Sequence, residues 1–224
     1  MMGSRTRLWV RWVAANAISE MLGLGATFVV IALAFSSLEG QGSVGTVLLL
    51  FLLSVVSGAI EATLVGLAQW WAMHPWFPLI TRRAWWLATL AGALVAYVLG
   101  YLPSTLMSLG EEASQAQAVE PEQWIVLLLA AGLGAVAGAV LSFAQWLVLR
   151  KTVARAGWWV PANSLAWLVG MPIIFWGIDI SQRGQPLWQT MLILIACLLL
   201  MGTVVGGIHG LFLVRLAESS GPRS

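Results

Sequence analysis

The sequence predicts an all-α integral membrane protein: six transmembrane helices built as three parallel two-helix repeats in a pseudo-threefold bundle. Three observations lead there. First, 60% of the 224 residues are hydrophobic and only 9% are charged, whereas a soluble domain is about 45–50% apolar and about 25% charged. Second, the apolar residues fall into six runs long enough to cross a bilayer. Third, the runs resemble one another at an offset of about a third of the chain. The composition excludes a soluble enzyme, a nucleic-acid-binding protein and a disordered chain, because a soluble fold of this size leaves roughly a quarter of its chain surface in water. The mean hydropathy of +0.89 agrees. A balance of 11 basic against 9 acidic residues is too even to suggest a nucleic-acid partner. The single cysteine, Cys197, excludes a disulfide framework and any multi-cysteine metal site.

A helix spanning the hydrocarbon core needs about 20 mostly apolar residues. The first run extends from Trp12 to Phe35, the second from Val44 to Met73 and the third from Ala84 to Met107. The fourth extends from Gln123 to Leu149, the fifth from Trp158 to Ile178 and the sixth from Trp188 to Val214. They are continuously apolar rather than alternating, which favours helices over barrel strands. The connections are short, so residues 1–224 read as one membrane domain. The N-terminal stretch imitates a signal peptide, with basic residues, an apolar run and Ala32-Leu33-Ala34. The run is too long for an h-region and holds Asn16 and Glu20, so it reads as a retained span.

Basic residues set the orientation. Arg5, Arg7, Arg11, Arg82, Arg83, Arg150, Lys151, Arg155, Arg215 and Arg223 all fall on one side of the predicted spans. Arg183 falls on the other, with Glu39, Glu111, Glu112, Glu120, Glu122 and Asp179. Both termini are therefore expected in the cytoplasm.

The odd spans share a pattern. WVAANAISEMLG from Trp12 matches WVPANSLAWLVG from Trp159, pairing Asn16 with Asn163 and Gly23 with Gly170. In the third span Trp85-Trp86 stands where Trp158-Trp159 stands, with Leu90 at the asparagine position. The second and fourth spans share Ala68-Gln69-Trp70 and Ala144-Gln145-Trp146, whereas the sixth keeps small residues and Arg215 but lacks Gln-Trp. The units are approximately 9–76, 82–152 and 156–217, followed by a flexible tail at 217–224. Two spans per unit means that successive units enter the membrane in the same direction, related by an axis along its normal.

The segment Ala144-Gln145-Trp146-Leu147-Val148-Leu149-Arg150, followed by Ala156-Gly157-Trp158-Trp159, resembles a family of prokaryotic multi-pass membrane proteins with a repeated G-x-A-Q-W-x-V-L-R signature. The resemblance covers most of the chain. It implies a bacterial membrane protein and no particular activity; the location expected is the inner (cytoplasmic) membrane.

Between lipid-solvated helices, small residues drive association by letting backbones approach. Gly58, Ala62 and Gly66 recur at every fourth position, as do Gly134, Gly138 and Ser142, and Gly202, Gly206 and Gly210. Each trio predicts a packing face. Ten of the 14 tryptophans (Trp9, Trp12, Trp70, Trp71, Trp76, Trp85, Trp86, Trp146, Trp158 and Trp159) fall at the cytoplasmic boundary, with Trp124 and Trp188 at the outer one. That distribution reads as an interfacial aromatic belt.

Polar residues inside the spans are the candidate site. Ionisable side chains in a membrane are functional hypotheses by default, and there are three: Glu20, Glu61 and His209. At 1.5 Å per residue, Glu20 lies roughly 12 Å beyond Trp12, Glu61 roughly 12 Å beyond Gln69, and His209 roughly 9 Å inside Arg215. If the spans close into a ring, Glu20 and His209 come within reach of one another. Gln69, Gln145, Asn16 and Asn163 lie one turn inside the boundary, as interhelical hydrogen-bonding groups or as a polar ring at the cytoplasmic mouth. None of the three ionisable residues repeats, so any charged site is asymmetric. Pro172 is expected to kink the fifth span, whereas Pro161 lies in its first turn. Arg82, Arg83, Arg150 and Lys151 are candidate contacts for anionic lipid headgroups. The acidic segment GEEASQAQAVEPE reads as a solvated outer linker.

No zinc-protease helix, phosphate-binding glycine loop or nucleophile elbow occurs, and no cofactor is expected. The leading expectation is a non-enzymatic scaffold, lipid-interacting protein or accessory subunit whose partner is the bilayer; the sequence names neither a protein partner nor an oligomeric state. The alternative is a small transporter or channel with an asymmetric proton- or cation-linked site around Glu20 and Glu61.

Overall fold

The computed structural model describes residues 3–38, 43–111 and 121–219. Among them are six long helices: α1 Ser4–Leu38, α2 Val44–Met73, α3 Arg82–Glu111, α4 Gln123–Leu149, α5 Trp159–Ser181 and α6 Leu187–Ser219. A short 3₁₀ turn, Ala156–Trp158, leads into α5. Each long helix contains a window apolar enough to cross a membrane. The limits of α2 and α4 are those expected from the apolar runs. The outer helices α1 and α6 run past their apolar segments, because a helix can continue into water where its charges are solvated; Arg5 and Glu218 pair there at 2.6 Å. That pair puts the start of α1 and the end of α6 at one end of the bundle, here called the termini end. α6 continues to Ser219, so residues 217–219 of the expected tail are helical, while 220–224 lie outside the described residues. Glu39 and residues 112–120 of the acidic linker also lie outside them.

Each helix packs against its sequence neighbours, and α1 packs against α6, so the six close into a ring. The small-residue faces make three of its seams. A Cβ on Gly58 of α2 would lie 2.8 Å from the Tyr97 ring of α3. One on Gly138 of α4 would lie 2.6 Å from the Asn163 carbonyl oxygen of α5. One on Gly202 of α6 would lie 2.8 Å from the Ala17 Cα of α1. All three gaps are too short for a side chain; at Gly138 and Gly202 the neighbour is backbone, as small-residue packing requires, and at Gly58 it is the Tyr97 ring. Proline does not stop the helices: α3 passes through Pro103 and α5 through Pro172. Outward faces are apolar, with Leu33, Leu128, Leu129 and Leu192 all more than half exposed. A periphery of that kind suits lipid rather than water.

Candidate functional site

The interior of the ring has two layers. Toward the termini end, Trp12, Trp85 and Trp159 meet at the centre and are completely buried. The Trp12 and Trp159 rings form a T-shaped pair with centroids 5.8 Å apart, and Trp85 lies 6.1 Å from Trp159. Each indole N–H donates to a side chain on a neighbouring helix. Trp12 donates to His209 Nδ1 at 2.7 Å, Trp85 to Gln69 Oε1 at 3.2 Å and Trp159 to Gln145 Oε1 at 2.9 Å. Four residues along each odd helix, Asn16, Thr89 and Asn163 donate back to the carbonyls of Trp12, Trp85 and Trp159.

The amides are then joined to one another. Gln69 donates to Asn16 Oδ1 at 2.8 Å, while Gln145 donates to Thr89 Oγ1 at 2.9 Å and to Gln69 Oε1 at 3.2 Å. All these side chains are buried. The arrangement follows from the requirement that buried polar groups find partners, and side-chain bonds link α1 through α5 in turn, with α6 joined by the Trp12–His209 bond. α6 enters through His209, whose ring also lies 5.6 Å from that of Trp159.

Three sequence expectations change here. The aromatic belt loses Trp12, Trp85 and Trp159, which form the centre of the bundle; Trp71, Trp124, Trp158 and Trp188 are exposed and fit an interface. The register of the third span shifts by one residue. Trp85, not Trp86, takes the buried position, and Thr89, not Leu90, holds the place of the asparagine, because the hydroxyl can make the same bond to the preceding turn. The sixth span lacks Gln-Trp, yet His209 accepts a tryptophan N–H as the two glutamines do.

Beyond this layer lie the carboxyls. Glu20 and Glu61 border the same small void, and Tyr97 donates to Glu61 Oε2. Glu20 is 2% exposed, and its Oε2 has no hydrogen-bond partner. α1 and α6 are neighbours, as a closed ring requires, but the α1 group bonded to His209 is Trp12. A 10 Å³ void bordered by Glu20, Glu61, Gln69, Thr89, Asn163 and His209 lies between the amides and the carboxyls. That is about the space of one water molecule.

On the other side of Glu61, toward the end opposite the termini, is a cavity of 340 Å³. Leu24 and Phe28 of α1, Ala93, Ala96, Tyr97, Gly100 and Tyr101 of α3, Leu133, Ala137 and Leu141 of α4, and Trp167, Met171, Ile174, Phe175 and Ile178 of α5 complete its wall. The cavity exists because α3 and α4 present Ala93, Ala96, Gly100 and Ala137; a Cβ on Gly100 would meet nothing within 4 Å. Sequence reasoning missed both tyrosines, which carry no repeat signal. It also missed the buried trio, although the Trp-x-x-x-Asn spacing in α1 and α5 was a signal for it.

The candidate headgroup contacts Arg82, Arg83, Arg150 and Lys151 are exposed at the termini end. Arg150 stacks over Trp146 at 4.9 Å, and Arg11 over Trp71 at 4.4 Å while donating to the Trp71 carbonyl at 2.9 Å. No protein-family model, curated protein or solved structure matches the chain.

Proposed function

We propose that the chain is a polytopic inner-membrane protein of a prokaryote, non-enzymatic, with both termini cytoplasmic, acting as a lipid-interacting or accessory subunit with a closed interior. One observation carries the choice over a channel. The three central tryptophans and their partners His209, Gln69 and Gln145 fill the ring at one end, each completely or almost completely buried, and each of the three indole N–H groups is bonded. The three-unit plan, with its pseudo-threefold axis along the membrane normal, draws support from the three equivalent Trp-to-partner bonds and the three back-bonds to Trp carbonyls. The asymmetry falls where the units differ: Glu20 stands where α5 has Trp167, and Glu61 where α4 has Ala137. The repeated Gln-Trp motif and its resemblance to a prokaryotic membrane family support the location, as do the basic residues gathered at the termini end.

A second reading, a proton- or cation-linked carrier, is favoured by the Glu20–Glu61–Tyr97 cluster. Flux in proteoliposomes separates the two. The closed reading expects proton and monovalent-cation leak no greater than in empty liposomes. Leak above that level, lost in Glu20→Gln or Glu61→Gln, would replace it with the carrier reading.

A further inference from the structure

We infer that the cavity between α3, α4 and α5 is a binding site for a hydrophobic organic cation, its charge set against Glu61 and its apolar body against the aromatic wall. The inference goes beyond the closed-framework reading and does not depend on it, because a bundle with or without a leak can hold a ligand in this cavity.

The size is right: 340 Å³ falls within the range of about 300–1,000 Å³ for small-molecule sites, which are mainly apolar with a few placed polar groups. The wall is rich in aromatic rings, from Phe28, Tyr97, Tyr101, Trp167 and Phe175. Aromatic surfaces around a desolvated cation attract it through their quadrupoles, the device by which proteins recognise quaternary ammonium groups.

The polar floor selects the sign of charge. Glu61 is the one carboxyl lining the cavity, and Glu20 backs it with an oxygen that lacks a hydrogen-bond partner. No lysine or arginine borders this cavity or the small void beside it. An anion would therefore face a carboxyl pair in a low-dielectric interior without any counter-charge. A neutral apolar molecule would fill the space but leave the floor unused. A divalent metal fits poorly, since two carboxyls and a phenol fall short of the six to eight oxygens that calcium takes. Among the described residues, no group of three or more His, Cys, Asp or Glu side chains could hold a metal ion.

The test uses two probes of one shape on the full-length protein in detergent: benzyltrimethylammonium and its neutral isostere neopentylbenzene, titrated by calorimetry. Saturable binding of the cation is expected, at least about tenfold tighter than the isostere, as a desolvated cation–π and ion-pair site implies. Glu61→Gln should lower the cation's affinity by about tenfold or more and leave the isostere's unchanged. Gly100→Leu, which fills open space, should abolish binding of both. Equal affinity for the two probes, or no saturable binding of the cation, would overturn the proposal on the wild-type protein without requiring any variant to fold. Undiminished cation binding by folded Glu61→Gln would overturn it too.

Discussion

The two halves of the bundle interior solve the same packing problem in opposite ways. At the termini end, large side chains with polar handles fill the ring and bond one another: Trp12, Trp85 and Trp159 with His209, Gln69 and Gln145. At the other end, Ala93, Ala96, Gly100 and Ala137 leave a cavity, and behind the carboxyl at its floor Glu20 holds an oxygen without a hydrogen-bond partner. Both halves share the same six helices and the same small-residue seams. The difference therefore teaches that seam packing sets the ring, whereas a few interior side chains decide whether it is filled. A fully bonded network favours rigidity and a single arrangement; a cavity backed by an under-bonded carboxyl favours a ligand.

The largest effect should come from breaking the filled half. Trp159→Ala removes a buried ring and leaves Gln145 Oε1 without its donor, so it should cost about 3–5 kcal/mol in reversible unfolding from mixed micelles. Trp158→Ala, one residue away but exposed, should stay within about 0.5 kcal/mol. Similar losses at both sites would erase the distinction between plug and belt.

Two intermediate effects sharpen the account. Gly138→Leu forces a side chain against the Asn163 carbonyl and should cost about 1–3 kcal/mol or more. Gln69→Leu strips a group bonded to Asn16, Trp85 and Gln145, and should cost about 1–3 kcal/mol by thermal unfolding. Because Gln69 and Gln145 share a bond, their double substitution should cost less than the sum of the singles.

The smallest effect belongs to the open half. Gly100→Leu should change stability by no more than about 0.5 kcal/mol, because a Cβ there meets open space. A loss comparable to that of Gly138→Leu would mean that the cavity wall is as tight as the seams.

Much of the fold was legible because lipid imposes one strong constraint: a span must be a long apolar helix. That constraint placed α2 and α4 at their observed limits, and the every-fourth-residue glycines marked the seams. It could not mark the ends of α1 and α6, which continue as solvated helix. The site was legible only as a set of polar residues at certain depths. Asn16, Gln69, Gln145, Asn163, Glu20, Glu61 and His209 are all buried, but their partners depend on rotation about each helix axis. The double tryptophan in α3 shows the difficulty. Trp85 and Trp86 are alike in the sequence, and a rotation of one residue decides which faces the centre. Tyr97 bears on Glu61 only because Gly58 lets α3 approach α2, a contact between segments far apart in the chain.

The central claim is that the termini half is dry and closed. Exchange of the indole N–H groups, followed by ¹⁵N-indole spectra after transfer into D₂O, tests it most directly. Signals of Trp12, Trp85 and Trp159 should persist long after those of Trp71, Trp124, Trp158 and Trp188 have disappeared. Loss of the central three together with the exposed set would show that water reaches the plug, and the closed reading would fall.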